Sequence, residues 1–245
     1  MRPFIVIILL ICQLLHAEIY TVGTEKRHPP YNFIDDKNQV YGMDIDILSA
    51  IAEAENFELS YVISNRNTLL TQWENQGIHI IIDGISSTDI QNSPYLSSSN
   101  PYLYSQDCVF ARSPEKLNNW QNGTILMQVS DNIINKLLSQ KIVTDKTQFI
   151  TNEPSPFLNL KKLATGSGDS MIGDCFSLKY LTQHGVLRAL KFYSKPLEIT
   201  ADNDSSFLVI AVDNRVDGLL EKINRGLATI QSSGELSKIV DKWLE

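Results

Sequence analysis

The chain has 245 residues, 21 Lys and Arg against 28 Asp and Glu for a net charge of −7, and 43% hydrophobic residues. An acidic chain without a basic cluster lacks the electrostatic footprint for nucleic acid or an anionic membrane surface. Its four scattered histidines do not have metal-ligand spacing, so neither a metal nor a cofactor is expected.

The first seventeen residues, MRPFIVIILLICQLLHA, combine one Arg, an apolar run and a terminal small residue. They read as a secretory signal peptide cleaved after Ala17, which places the mature chain in the periplasm. An uncleaved anchor is the alternative, but the apolar run from Phe4 to Leu15 is broken by Gln13 and is short for a bilayer. Cys108 and Cys175 remain in the mature chain. In an oxidising compartment a disulfide between them and two separate buried thiols both fit.

In chain order, IYTVGT alternates as a strand does, and MDIDILSAIAEAENF follows with helical spacing, Ile47, Leu48, Ile51 and Ala52 on one face. Asp44 is placed to cap that helix. Strand ELSYVI, helix NTLLTQWENQG ending at Gly77, and the all-apolar strand IHIII complete an α/β pattern with a parallel sheet. Trp73 shares a helix face with Leu69 and Leu70 and reads as core. The stretch ISSTDIQNSPYLSSSNPY comes next, rich in hydroxyls and amides and free of cations, and its hydroxyls are expected to face a cleft beyond the strand ends.

A second alternation follows residue 113: TILMQV, the helices SDNIINKLLSQK and SPFLNLKKLAT, the strand SMI and the helix CFSLKYLTQHG. The chain closes with strand FLVIAV and two helices, the last packing through Leu236, Ile239 and Trp243. Two α/β units in series predict two lobes joined by extended segments near 104–112 and 207–212, with the binding site between them. After the signal segment, 1–17, the expected division is 18–110 plus 207–245 for the first lobe and 111–206 for the second.

VGTEKRHPPYNF, VYGMDIDILSAIAE, GISSTDIQ, SSSNPYLYS, LATGSGDSMIGD and SSGELSKIVDKWL stand in an order that resembles the extracytoplasmic solute-binding proteins of the amino-acid type, family 3, which deliver ligands to ABC importers. The resemblance spans nearly the whole mature chain. It implies a two-lobed periplasmic-binding-protein (type II) α/β fold, with a ligand cleft between lobes joined by two hinge strands. The implied partners are a small solute and a membrane ABC permease, and the implied state is a monomer that carries out no catalysis. A ligand sensor acting on a membrane receptor, or an enzyme like cyclohexadienyl dehydratase on the same scaffold, is the alternative.

Carried over residue by residue, the resemblance assigns the ammonium-binding carboxylate to Asp174 and hydroxyl donors to Ser86, Thr88 and Ser130. Backbone N–H groups from Gly84 to Ser86 are expected to point into the cleft. His28 and, behind it, Tyr31 fall at the first-lobe aromatic contact. Three positions depart from the family pattern: Gln91 stands where TDIQ should end in an Arg, Arg66 stands where a stacking aromatic is usual, and Val129 stands where a Gly usually precedes the hydroxyl residue, here Ser130. An amide cannot replace the bidentate, charge-assisted grip of a guanidinium on a carboxylate, so simple neutral amino acids are expected to bind weakly.

Overall fold

A computed structural model describes residues 17–128, 130–151, 153, 155–199 and 206–244. Val129 and the expected signal segment, apart from Ala17, lie outside them. Strand β1 (Glu18–Glu25) is followed by β2 (Arg27–His28), β3 (Asn32–Ile34), β4 (Val40–Tyr41), helix α1 (Met43–Glu55), β5 (Phe57–Ser64), α2 (Arg66–Thr71), β6 (Ile80–Ser86), α3 (Ser87–Ile90), β7 (Leu96–Ser98) and β8 (Leu103–Tyr104). A second run comprises β9 (Asp107–Ala111), α4 (Pro114–Asn118), β10 (Ile125–Leu126), α5 (Asp131–Ser139), β11 (Phe149–Ile150), α6 (Pro156–Ala164), β12 (Ser170–Asp174), α7 (Cys175–Gln183) and β13 (Tyr193–Pro196). The chain then returns through β14 (Phe207–Asp213) to α8 (Leu219–Ser232) and α9 (Glu235–Leu244).

The first sheet runs β5-β1-β6-β14-β7, with β8 also on β14, and the second runs β11-β10-β12-β9-β13. In the first, β1 pairs in parallel with β5 and β6, while β14 returns antiparallel. Helices cover both faces, so β6 carries an apolar run instead of alternating: Ile80, Ile82, α1 and α8 form one core, and Ile81, Ile85, Leu69 and Trp73 form the core on the opposite face. Trp73 is core, as its spacing predicts. The second lobe likewise has a core on each sheet face, one holding Cys108, Phe110, Met171 and Leu178, the other Val109, Trp120, Ile125 and Ile172.

The sheets correct the expected lobe boundary at residue 110. That boundary falls inside β9, which pairs with β12 and β13 of the second sheet. Phe110 packs in the second core, and Cys108 is bonded to Cys175, which resolves the cysteine alternatives in favour of a disulfide. The outgoing crossover is therefore Ser105–Gln106, and it runs beside the returning one, Ser105 N–H donating to Ser206 O at 2.8 Å.

Asp44 does not cap α1. The first N–H groups of the helix, on Met43 and Asp44, donate instead to the carbonyls of Pro30 and Tyr31, which satisfies donors that a capping side chain would otherwise take. Gly42 permits this approach: its φ is 145°, and a Cβ there would stand 2.2 Å from Tyr31 O. Asp44 is turned inward and fully buried.

Candidate functional site

Two adjoining cavities of about 350 and 630 Å3 lie between the lobes, sharing Arg66, Asp107, Ser130, Ile133 and Asp174 as walls. Their size suits a small solute. Asp174 ends β12 and is the N-cap of α7, its Oδ1 accepting from Ser177 N–H at 2.7 Å. The same carboxylate accepts from the Tyr31 hydroxyl at 3.1 Å and from the Ser105 hydroxyl. The cap and the cavity position coexist, because the helix start points its free N–H groups, and with them the capping carboxylate, at the cleft.

The second lobe reaches the first here. Ser177 donates its hydroxyl to Pro29 O, and the Tyr180 ring packs against Phe33 and Trp243 with centroids 5.4 and 6.4 Å apart. Tyr31 is buried behind the cavity, where it holds Asp174 and does not line the space. Burial and the Asp174 charge raise its phenol well above the ordinary range. Its assignment as a ligand aromatic is corrected accordingly: it is a positioning residue under Gly84, whose Cβ, if present, would meet the Tyr31 ring at 3.0 Å.

On the first lobe, Arg66 opens α2 after the Asn65 cap, and its guanidinium faces two carboxylates of its own lobe. It donates to Asp83 O at 3.1 Å, stands 3.6 Å from Asp83 Oδ2, and pairs with Asp89 Oδ1 at 3.1 Å. Burial pulls this guanidinium down, and Asp89, Asp83 and Glu25 outweigh the effect and raise it. His28 lines the larger cavity, its Nδ1 3.2 Å from Asp83 O, 3.8 Å from Asp83 Oδ1 and 3.9 Å from Glu25 Oε2. Burial lowers and the Asp83 contact raises the imidazole, with a net rise. Burial, then the Asp83 charge, raises Glu25. Glu25, His28 and Asp83 bring possible metal ligands within 4.8 Å of one another, but the Arg66 guanidinium already stands at Asp83 as the local cation.

Gly84, Ser86 and Thr88 line the smaller cavity. The Gly84 and Ser86 backbone N–H groups are not free, contrary to expectation. Gly84 N–H donates to Asp44 Oδ2 and Ser86 N–H to Asp89 Oδ2, both at 2.7 Å, the second as half of a capping box on α3. The Ser86 and Thr88 hydroxyls lie 2.7 Å apart and present the polar wall. Asp44, held also by the Tyr102 hydroxyl at 2.8 Å, is pushed up to about 7 by burial.

Gln91 is exposed at the end of α3 and lines neither cavity. The later serines of the hydroxyl-rich stretch also miss the cleft. They enter β7 and the turn after it, where the Ser99 hydroxyl accepts from Ile210 N–H at 2.9 Å, because β7 must pair with β14. Ser130 lines both cavities as the cap of α5. Of the two tyrosines before the crossover, Tyr104 lines the smaller cavity and Tyr102 is buried on Asp44. Sequence reasoning missed Asp107, Asp89 and Glu25. Asp89 carried a signal, since Ser-x-x-Asp at Ser86 is a capping-box spacing.

Two α/β lobes joined by two crossovers around a polar cavity define a binding protein of the periplasmic type. The chain belongs to the bacterial extracellular solute-binding proteins, family 3, whose pattern matches residues 20–245. It is similar to the ABC transporter arginine-binding protein 1 of Escherichia coli K12, 26% identical over 93% of this chain and 91% of that protein. It is also similar to a probable histidine-binding protein of Neisseria gonorrhoeae, 23% identical over 93% and 83%. Among solved structures it resembles an ancestral cationic amino acid solute-binding protein, with a TM-score of 0.72 at 16% identity over 93% and 96% of the two chains.

Proposed function

We propose that the chain binds a small solute of net positive charge, a basic amino acid or amine, outside the cytoplasm, and passes it unchanged to a membrane ABC importer. The observation that carries this reading is Asp174, a carboxylate at the interlobe cavity, positioned by α7 and by Tyr31. The opposite charge on the first lobe, Arg66, already faces Asp83 and Asp89, so it offers little to a ligand carboxylate. Gln91 offers no cation in its place. The relatives named for arginine and histidine support the same ligand class.

A thermal-shift panel on the chain from Glu18 onward tests the reading. Ligands that bind only the folded state raise the melting temperature by mass action, so arginine, lysine, histidine and simple amines should raise it while neutral amino acids and dicarboxylates leave it near the ligand-free value. A panel in which only dicarboxylates shift the transition would reject the proposal. Recovery of the bound compound unchanged checks that binding is not followed by chemistry. Export is part of this reading, and mass spectrometry of the extracytoplasmic chain should find Glu18 at its N-terminus, whereas a full-length, membrane-retained chain would contradict it.

A further inference from the structure

The cavity holds a second carboxylate. Asp107 opens β9, and the antiparallel register sets it directly opposite Asp174. Opposed residues of neighbouring antiparallel strands share a face, with Cβ atoms about 4.5–5.5 Å apart, and both aspartates line both cavities. Their surroundings differ. Asp174 accepts from Tyr31, Ser105 and the Ser177 N–H, whereas the half-buried Asp107 carboxylate has no hydrogen-bond donor and no ion-pair partner among the described residues.

That arrangement is costly in the empty protein. Like charges directly opposed on a sheet repel, and polar groups withdrawn from water are normally paired. Burial, then the Asp174 charge, pushes the Asp107 carboxyl up to about 6. The charged groups on the facing walls are Asp174 from β12, Arg66 from α2, Asp89 beside it, Lys136 from α5, and Glu25, Arg27 and His28 from the β1–β2 side; Leu197, just after β13, lies next to Asp107, its N–H bonded to the Asp107 carbonyl. Of these Asp174 stands directly opposite Asp107 and repels its charge.

We propose that Asp107 contacts the ligand and, with Asp174, forms a two-carboxylate seat for a cationic nitrogen with several N–H donors, so that the chain selects ammonium- or guanidinium-bearing solutes over neutral isosteres. The inference rests on the cationic-solute reading above. Ammonium carries three donors and guanidinium five, enough to serve a carboxylate already partly satisfied and one that is not. Only the ionised form of Asp107 pairs with a cation, so affinity rises with pH through about 6 and levels above it. The contribution of Asp107 to the stability of the ligand-free fold has the opposite trend: a carboxyl raised above its unfolded value binds its proton more tightly when folded, so that contribution falls as pH rises from about 4 to 6.

The test is calorimetry with L-arginine at pH 5 and pH 7.5 on the wild type, Asp107→Asn and Asp107→Ser, with ligand-free melting temperatures. Both variants should bind roughly tenfold or more weakly at pH 7.5, lose most of the wild-type gain in affinity between the two pH values, and melt at or above the wild-type temperature at pH 7.5. Affinity within about twofold of wild type, an undiminished pH profile, or a lowered melting temperature overturns the role of Asp107 while leaving the cationic-solute reading intact. Failure of the wild type to bind any of L-arginine, L-lysine and agmatine overturns that reading and the two-carboxylate seat together.

Discussion

Replacing both Cys108 and Cys175 by Ser should lower the stability of the second lobe by about 4 kcal/mol. The disulfide closes a loop between residues 67 apart in sequence, and the chain-entropy cost of that closure in the unfolded state is about 4 kcal/mol, within the usual 2–5 kcal/mol lost when such a bond is removed. The bond joins β9 to the first residue of α7 beside Phe110, Met171 and Leu178, so its removal loosens the core as well as the unfolded ensemble. Urea unfolding followed by fluorescence of Trp120, buried in the second lobe, would read the change, and a midpoint unmoved by the double replacement would contradict it. The same variant should bind cationic solutes more weakly, because the two cysteines directly adjoin Asp107 and Asp174 and hold their strands together.

Long periodic segments were legible because one pattern decides them. The apolar stripe of α1, the apolar run opening β6 and the apolar face of α8 are buried as their spacing predicts, and Leu236, Ile239 and Trp243 of α9 pack partly buried against the same core. Elements that depend on distant partners were not. The small sheet β2-β3-β4 is built from strands of two or three residues that exist only as cross-strand pairs, and β9 reads as linker because nothing local shows that it pairs with β12 and β13. Backbone geometry misled at Asp44, where Gly42 lets two carbonyls from the preceding turn take over the start of α1.

The site divides along the same line. Asp174 was legible through the family resemblance, which placed the ammonium-binding carboxylate at that residue. Asp107 was not, since its place opposite Asp174 is a matter of register between strands more than sixty residues apart. Gln91 was legible as a missing cation, but its exposure at the end of α3 was not. The contacts of Arg66 with Asp83 and Asp89 were not legible, since those carboxylates lie seventeen or more residues further along the chain.

Asp174→Asn should weaken a cationic ligand by roughly 2–5 kcal/mol, thirty- to several-thousand-fold, because truncating one partner of a desolvated charge pair leaves the other charge uncompensated. The amide keeps the side chain's shape and can still accept from Ser177 N–H and the Tyr31 hydroxyl, so the start of α7 should survive and the loss should fall on binding. The most direct measurement is titration calorimetry of L-arginine and of L-citrulline, a near-isostere with the same α-ammonium and an uncharged side chain, against the wild type and Asp174→Asn. The account predicts that the wild type prefers arginine by at least about a hundredfold and that Asp174→Asn loses most of that preference through weaker arginine binding. Equal affinity of the wild type for arginine and citrulline, or an Asp174→Asn variant that keeps the full preference, would contradict it.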